Sequence, residues 1–213
     1  MDDSVVHVAP SVVAVRALWD RSGVLSGPVI REQLSRFAEA VVDAHAAGEH
    51  SAAVMVRNWS DGGDDELGSA GMLSRRHARL IVARDHGFTT WSSVEGECDP
   101  TSELAVDAVV DGRINDLRAL LADHPDLSSR RSPYGHRATL LHYTAANGVE
   151  IRRQAVPANA AVVVAALLDA GADRAAKLHA YGGDFDVIAM LKTSAHPHDA
   201  GVAAEVEHVL TMN

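Results

Sequence analysis

The sequence predicts an all-α fold, with stacked helix–turn–helix repeats forming a solenoid and an N-terminal helical segment packed against them. Three observations predict it. Apolar residues recur three and four apart in several short windows. The windows come in pairs joined by a glycine. Of 213 residues, 47% are hydrophobic but only 4% aromatic, so small aliphatic side chains carry the packing, which suits closely spaced short helices.

Taken in order, Val12, Val15, Leu18 and Trp19 stand at helical spacing and predict a helix lying across the repeats. Val42-Asp43-Ala44 leads to Gly48 and then to Ala52, Ala53, Val54 and Met55, a helix, a turn and a second helix. The acidic, glycine-rich stretch 61–66 reads as a solvated loop without the ligand spacing of a calcium site. Ser74 is placed to cap a helix running through Leu80, Ile81 and Val82, and Gly87-Phe88 to close it. Residues 96–100 mark a domain boundary, leaving 1–97 as an N-terminal helical region with one repeat-like unit and 101–213 as the repeat domain. Val106-Asp107-Ala108, Gly112, Leu117, Leu120 and Leu121 repeat the earlier pattern until His124-Pro125 stops it, since proline cannot continue a helix. A helix over 162–170 ends at Gly171, suited to a left-handed cap, and a last one over 202–210 has Asn213 in the equivalent place.

Charge narrows the function. Nineteen Lys and Arg against 29 Asp and Glu leave the chain at −10, which repels a phosphate backbone. The doublets Arg75-Arg76, Arg130-Arg131 and Arg152-Arg153 are scattered, each near acids, and read as solvated charge, so no nucleic-acid partner is expected. The longest apolar run, 160–168, is about half a membrane span, so no membrane partner is expected either. A single cysteine, Cys98, forms neither an intrachain disulfide nor a cysteine metal cluster, which fits a reducing cytoplasm.

Thr139-Leu140-Leu141-His142-Tyr143-Thr144-Ala145-Ala146-Asn147-Gly148 resembles the ankyrin signature, and Val163 through Gly171 to Asp173 resembles the second ankyrin helix and its loop. The stretches around 83–91, 135–143, 181–183 and 193–201 look like those of a group of bacterial ankyrin-repeat proteins. The resemblance implies structural roles for Thr139, His142, Gly148 and Gly171, with the threonine capping the first helix and bonding the histidine, which ties one repeat to the next. Three departures stand out: Leu140 in place of proline, an insertion over roughly 149–160, and Ile188 at the next repeat's histidine position, where Asp186 remains as a cap.

The resemblance implies a protein partner, gripped by the concave face of fingers and inner helices. Tyr134, His136, Arg137 and Tyr143 from one repeat, and His179, Tyr181, Asp184 and Phe185 from the next, are the expected binding residues. The alternative is a cofactor-free small-molecule enzyme (an acid–base cyclase, isomerase or hydrolase) using His136, Tyr143, Asp184 and Asp186 beneath a lid formed by 149–160. No cofactor or metal is expected. Gly182-Gly183 lacks the lysine of a phosphate loop, and His196-Pro197-His198, with Asp184, Asp186 and Asp199 nearby in sequence, reads more simply as a solvated turn. Cys98 lies among acids, which raises a thiol's pKa and makes it a poor nucleophile.

Overall fold

A computed structural model describes residues 5–23, 28–60 and 71–212. The 61–66 loop and the cap at Asn213 lie outside them. Among the described residues the chain is mostly helical, with four three-residue strands, and no helix is long and apolar enough to cross a membrane.

The first half contains α1 (Pro10–Arg21), α2 (Ile30–Ala46), α3 (His50–Trp59) and α4 (Arg75–Asp85). Each buries one stripe. In α2 it is Ile30, Leu34, Phe37, Ala38, Val41 and Ala44, and in α1 it is Val12, Val15, Leu18 and Trp19. Ser74 caps α4 by accepting the His77 N–H, and the Phe88 N–H returns to the Ala83 carbonyl at the other end. These stripes share one core, which also takes in Tyr134 and Ile151 from the second half.

The second half follows as α5 (Pro100–Val110), α6 (Ile114–Asp123), α7 (Leu140–Tyr143), α8 (Ala160–Asp169), α9 (Val187–Thr193), α10 (Ala195–Asp199) and α11 (Ala203–Thr211), around a separate apolar core. α5 packs on α6 and α8 on α11. The short α7 is a single turn. Thr139 Oγ1 lies 2.9 Å from His142 Nδ1, which also accepts the Thr139 N–H. That places the His142 proton on Nε2, which donates to the Ala176 carbonyl 34 residues on. Gly171, at φ +89°, closes α8, and Gly148 packs directly against Met190. Asp186 caps α9 through the Ala189 N–H at 2.9 Å and pairs with Lys177.

A hairpin of β3 (Leu178–Ala180) and β4 (Gly183–Phe185) projects before α9, with Tyr181 and Gly182 at its tip, both at positive φ. The other strand pair is long-range. β1 (Val6–Val8) runs antiparallel to β2 (Ala155–Pro157) and carries the start of the described chain onto the 149–160 insertion. That segment is no lid. Its 3-10 turn, Ile151–Arg153, is buried against α1, and β2 is buried throughout. The insertion joins the two halves.

The halves also meet at a glycine pair. The Gly135 N–H donates to the His86 carbonyl at 2.9 Å. A Cβ on Gly87 would stand 2.2 Å from the His136 nitrogen, and one on Gly135 2.3 Å from the Gly87 oxygen, so only glycine permits this approach.

Candidate functional site between the two halves

The residues expected at an open face divide sharply. Tyr134, His136 and Tyr143 are at most 1% exposed, so they cannot meet a partner protein. The reason is the insertion, whose turn and Glu150 cover them from the side where a regular repeat would leave a groove. Arg137, His179, Tyr181 and Asp184 are exposed and Phe185 half-buried. The acid–base quartet does not assemble. The His136 imidazole turns inward, Asp184 pairs with His179 on the hairpin at 3.0 Å, and Asp186 is engaged as a helix cap. No group of three or more His, Cys, Asp or Glu side chains among the described residues is arranged to hold a metal ion, and His196 and His198 lie within α10.

What the fold assembles instead is a polar centre at the junction. Ala138 N–H donates to His136 Nδ1, so the His136 proton is on Nε2, which donates to Glu150 Oε2 at 3.2 Å. Glu150 is fully buried, and its other oxygen lies 3.6 Å from Arg153 and 3.8 Å from Arg152. Burial pushes its carboxyl up, but the His136 hydrogen bond and the two guanidinium charges hold it well below the usual carboxylate range. Arg153 reaches Glu103 at 2.7 Å and Asp107 at 3.1 Å. Burial opposes its charge, but Glu103, Glu150 and Asp107 outweigh that. Both arginines of this doublet are therefore interior, where the sequence read as solvated charge.

Behind them runs a ladder of rings. His86 lies between Trp19, with centroids 5.7 Å apart, and Tyr134 at 4.9 Å; His136 and Tyr143 continue it. His86 donates from Nδ1 to the Val82 carbonyl, and burial drops its pKa to about 3. Next to it Asp85 accepts from Trp59 Nε1 and from the Ile151 N–H, and burial lifts its pKa to about 7.

The polar centre opens on one side into a cleft of about 720 Å³ between α1 and α5. Trp19, Cys98, Leu104 and Val110 give it apolar walls, and Arg152 and Arg153 form part of its lining. This volume falls within the ordinary range for small-molecule sites, which favour domain junctions. Arg152 lies over the face of Trp19 with its guanidinium carbon 4.1 Å from the ring centroid. It is only 9% exposed, yet among the described residues its guanidinium makes one long hydrogen bond, 3.5 Å to Tyr134 Oη, and its buried Nε meets no partner. An arginine so placed brings a loosely bonded guanidinium to the wall of the cleft, where an anionic group could take it up. Cys98 is no nucleophile here, since burial and Glu103 push its thiol up to about 11.

Sequence reasoning missed this site because its parts come from residues 16–20, 98–111 and 150–153, and no local pattern connects them. The one local signal was Glu150 beside Arg152 and Arg153 in an insertion, a combination that pairs charge within three residues. Compared with known proteins, the chain matches no family model, no curated protein and no solved structure.

Proposed function

We propose that this protein binds a small polar organic ligand in the cleft between its halves, on a scaffold of ankyrin-type repeats. The repeat reading rests on the Thr139–His142–Ala176 chain of hydrogen bonds, which links α7 to the segment after α8 as the resemblance implies. The ligand reading rests on Arg152, a largely buried guanidinium over Trp19 whose hydrogen bond to Tyr134 Oη is a long 3.5 Å, in the wall of a cavity of ligand size. Leu104, 54% exposed on the cleft wall, offers the test. Leu104→Trp adds bulk where a ligand would sit and disturbs no buried contact. A thermal-shift screen of small polar metabolites should give compounds that stabilise the natural protein and lose that effect in Leu104→Trp. Compounds that stabilise both proteins equally, or none at all, would defeat the reading.

A second reading, a partner protein on the β3–β4 finger, is favoured by Tyr181. It is 66% exposed, sits at positive φ and is held by a hydrogen bond to Asn147 beside a groove floored by Phe185 and Met190. An exposed, braced tyrosine is the kind of side chain that anchors interfaces. Tyr181→Ala should weaken capture of such a partner by the immobilised protein and leave cleft ligands unaffected. Undiminished capture removes this face from consideration.

A further inference from the structure

Resting on the cleft as a ligand site, we infer that its ligand is amphoteric: it carries an anionic group, met by Arg152, and a cationic group, met by Asp107 and Asp111, on a body with some apolar surface.

The two ends of the cleft have opposite needs. At the Trp19 end, Arg152 lines the cavity, and among the described residues its guanidinium makes one hydrogen bond, 3.5 Å from Nη2 to Tyr134 Oη, while Nε is sealed from the cavity. Its nearest carboxylates, on Glu103 and Glu150, stay at 3.7 Å and 3.8 Å, beyond hydrogen-bond reach. Glu103 is committed to Arg153 at 2.7 Å, and Glu150 to His136. A ligand carboxylate or phosphate would supply the missing acceptors, and the fork of a guanidinium is shaped to take either.

At the other end, Asp107 and Asp111 stand one turn apart on the same face of α5, where like charges repel. Both lie at the C-terminal end of that helix, where the unpaired carbonyls already concentrate negative charge. Asp107 commits one oxygen to Arg153, and its side chain is 45% exposed. Among the described residues Asp111 has only long ion pairs, 3.9 Å to Arg16 and 3.8 Å to Arg113. Its carboxyl is held above the usual range by burial and by Asp107. An ammonium or guanidinium group would relieve both. Leu104, between these ends in the cleft wall, provides the apolar contact.

A ligand with one charge alone would desolvate the opposite set of cleft charges and leave it only its long or shared ion pairs. An amphoteric one adds no net charge and answers both. Where the anion is concerned, carboxylate and phosphate share the same chemistry at Arg152, and the probe series can be repeated with a phosphate ester to separate them.

Three tripeptides test the inference: Ala-Phe-Ala with free ends, its N-acetylated form and its C-amidated form, titrated by calorimetry into the whole protein. The free peptide should bind about tenfold or more tightly than either blocked form, the difference expected for one charge-assisted contact in a sheltered site. In Asp111→Asn, where Asp107 alone remains, N-acetylation should weaken binding much less than in the natural protein, while C-amidation weakens it as before. Arg152→Lys, which keeps the charge but loses the fork, should shrink the C-amidation effect and leave the N-acetylation effect. Should Arg152→Lys fail to fold, the Asp111 comparison decides alone, because that side chain is partly exposed and makes no short bond. Blocked peptides that bind as well as the free one, an Asp111→Asn effect equal on all three, or no binding by any of them overturns the inference. The site itself is judged separately: if Leu104→Trp leaves free-peptide binding intact, the cleft is not where ligand sits.

Discussion

Glu150→Ala is expected to cost about 3–5 kcal/mol of folding stability, a large part of the 5–15 kcal/mol typical of a globular protein. The cost does not come from the lost carboxylate's own contacts. It comes from what stays behind: two guanidinium groups in the interior without the anion between them, and a His136 Nε2–H with no acceptor. Removing one partner of a buried ionic set costs far more than a surface pair is worth, because Arg153 and the His136 Nε2–H, both buried, cannot readily turn to water. Glu150→Gln should fall between, since its amide oxygen still accepts from His136 while the charge is gone. Urea denaturation of the three proteins checks this, and a loss below about 1 kcal/mol in the alanine variant would show that the junction tolerates unpaired cations.

Acid should begin to destabilise the protein well before its surface carboxylates titrate. His86 and His142, with folded pKa values near 3 and 4, stay neutral inside, yet each takes a proton near 6.5 once unfolded. Their contribution is complete above pH 6.5 and is lost as pH falls. Asp85 works the other way. Its folded pKa of about 7 against 3.8 unfolded keeps a proton on the native chain that the unfolded chain has released. Between about pH 4 and 6.5 the unfolded chain therefore binds two protons on these groups and the native chain one. The difference of one proton makes stability climb by about 1.4 kcal/mol per pH unit, and the climb flattens to a crest near pH 7 as the unfolded histidines lose their protons and Asp85 ionises. Asp85→Asn removes the opposing proton and should roughly double the slope. Denaturation midpoints at pH 4.5, 5.5 and 6.5 measure it; a flat profile in the natural protein, or an unchanged slope in the variant, refutes the assignment.

Much of the fold could be read in advance because its signals are local. The spacing of Val106, Leu117 and Leu121, the cap at Ser74, the turn at Gly171 and the Thr139–His142 box each depend on neighbours within a few residues, and each appears where expected. The site could not be read that way. Tyr134, His136 and Tyr143 carry polar groups and stand near a finger, so they read as surface. Their burial depends on an insertion whose strand pairs with residues 6–8, about 150 positions earlier. Arg152 and Arg153 look like solvated charge until Glu103, Glu150 and Trp19 arrive from elsewhere in the chain. His86, at a helix end, gave no sign that it would stack on Trp19.

The backbone contact of Gly87 with Gly135 and His136 has a mechanical meaning for the cavity. With no side chains between them, the two segments interlock, and one half cannot glide along the other without backbone collision. Together with the β1–β2 pairing and the turn buried on α1, this clasp fixes the distance between the walls that Arg152 and Trp19 line, so a guest meets a mould of set width.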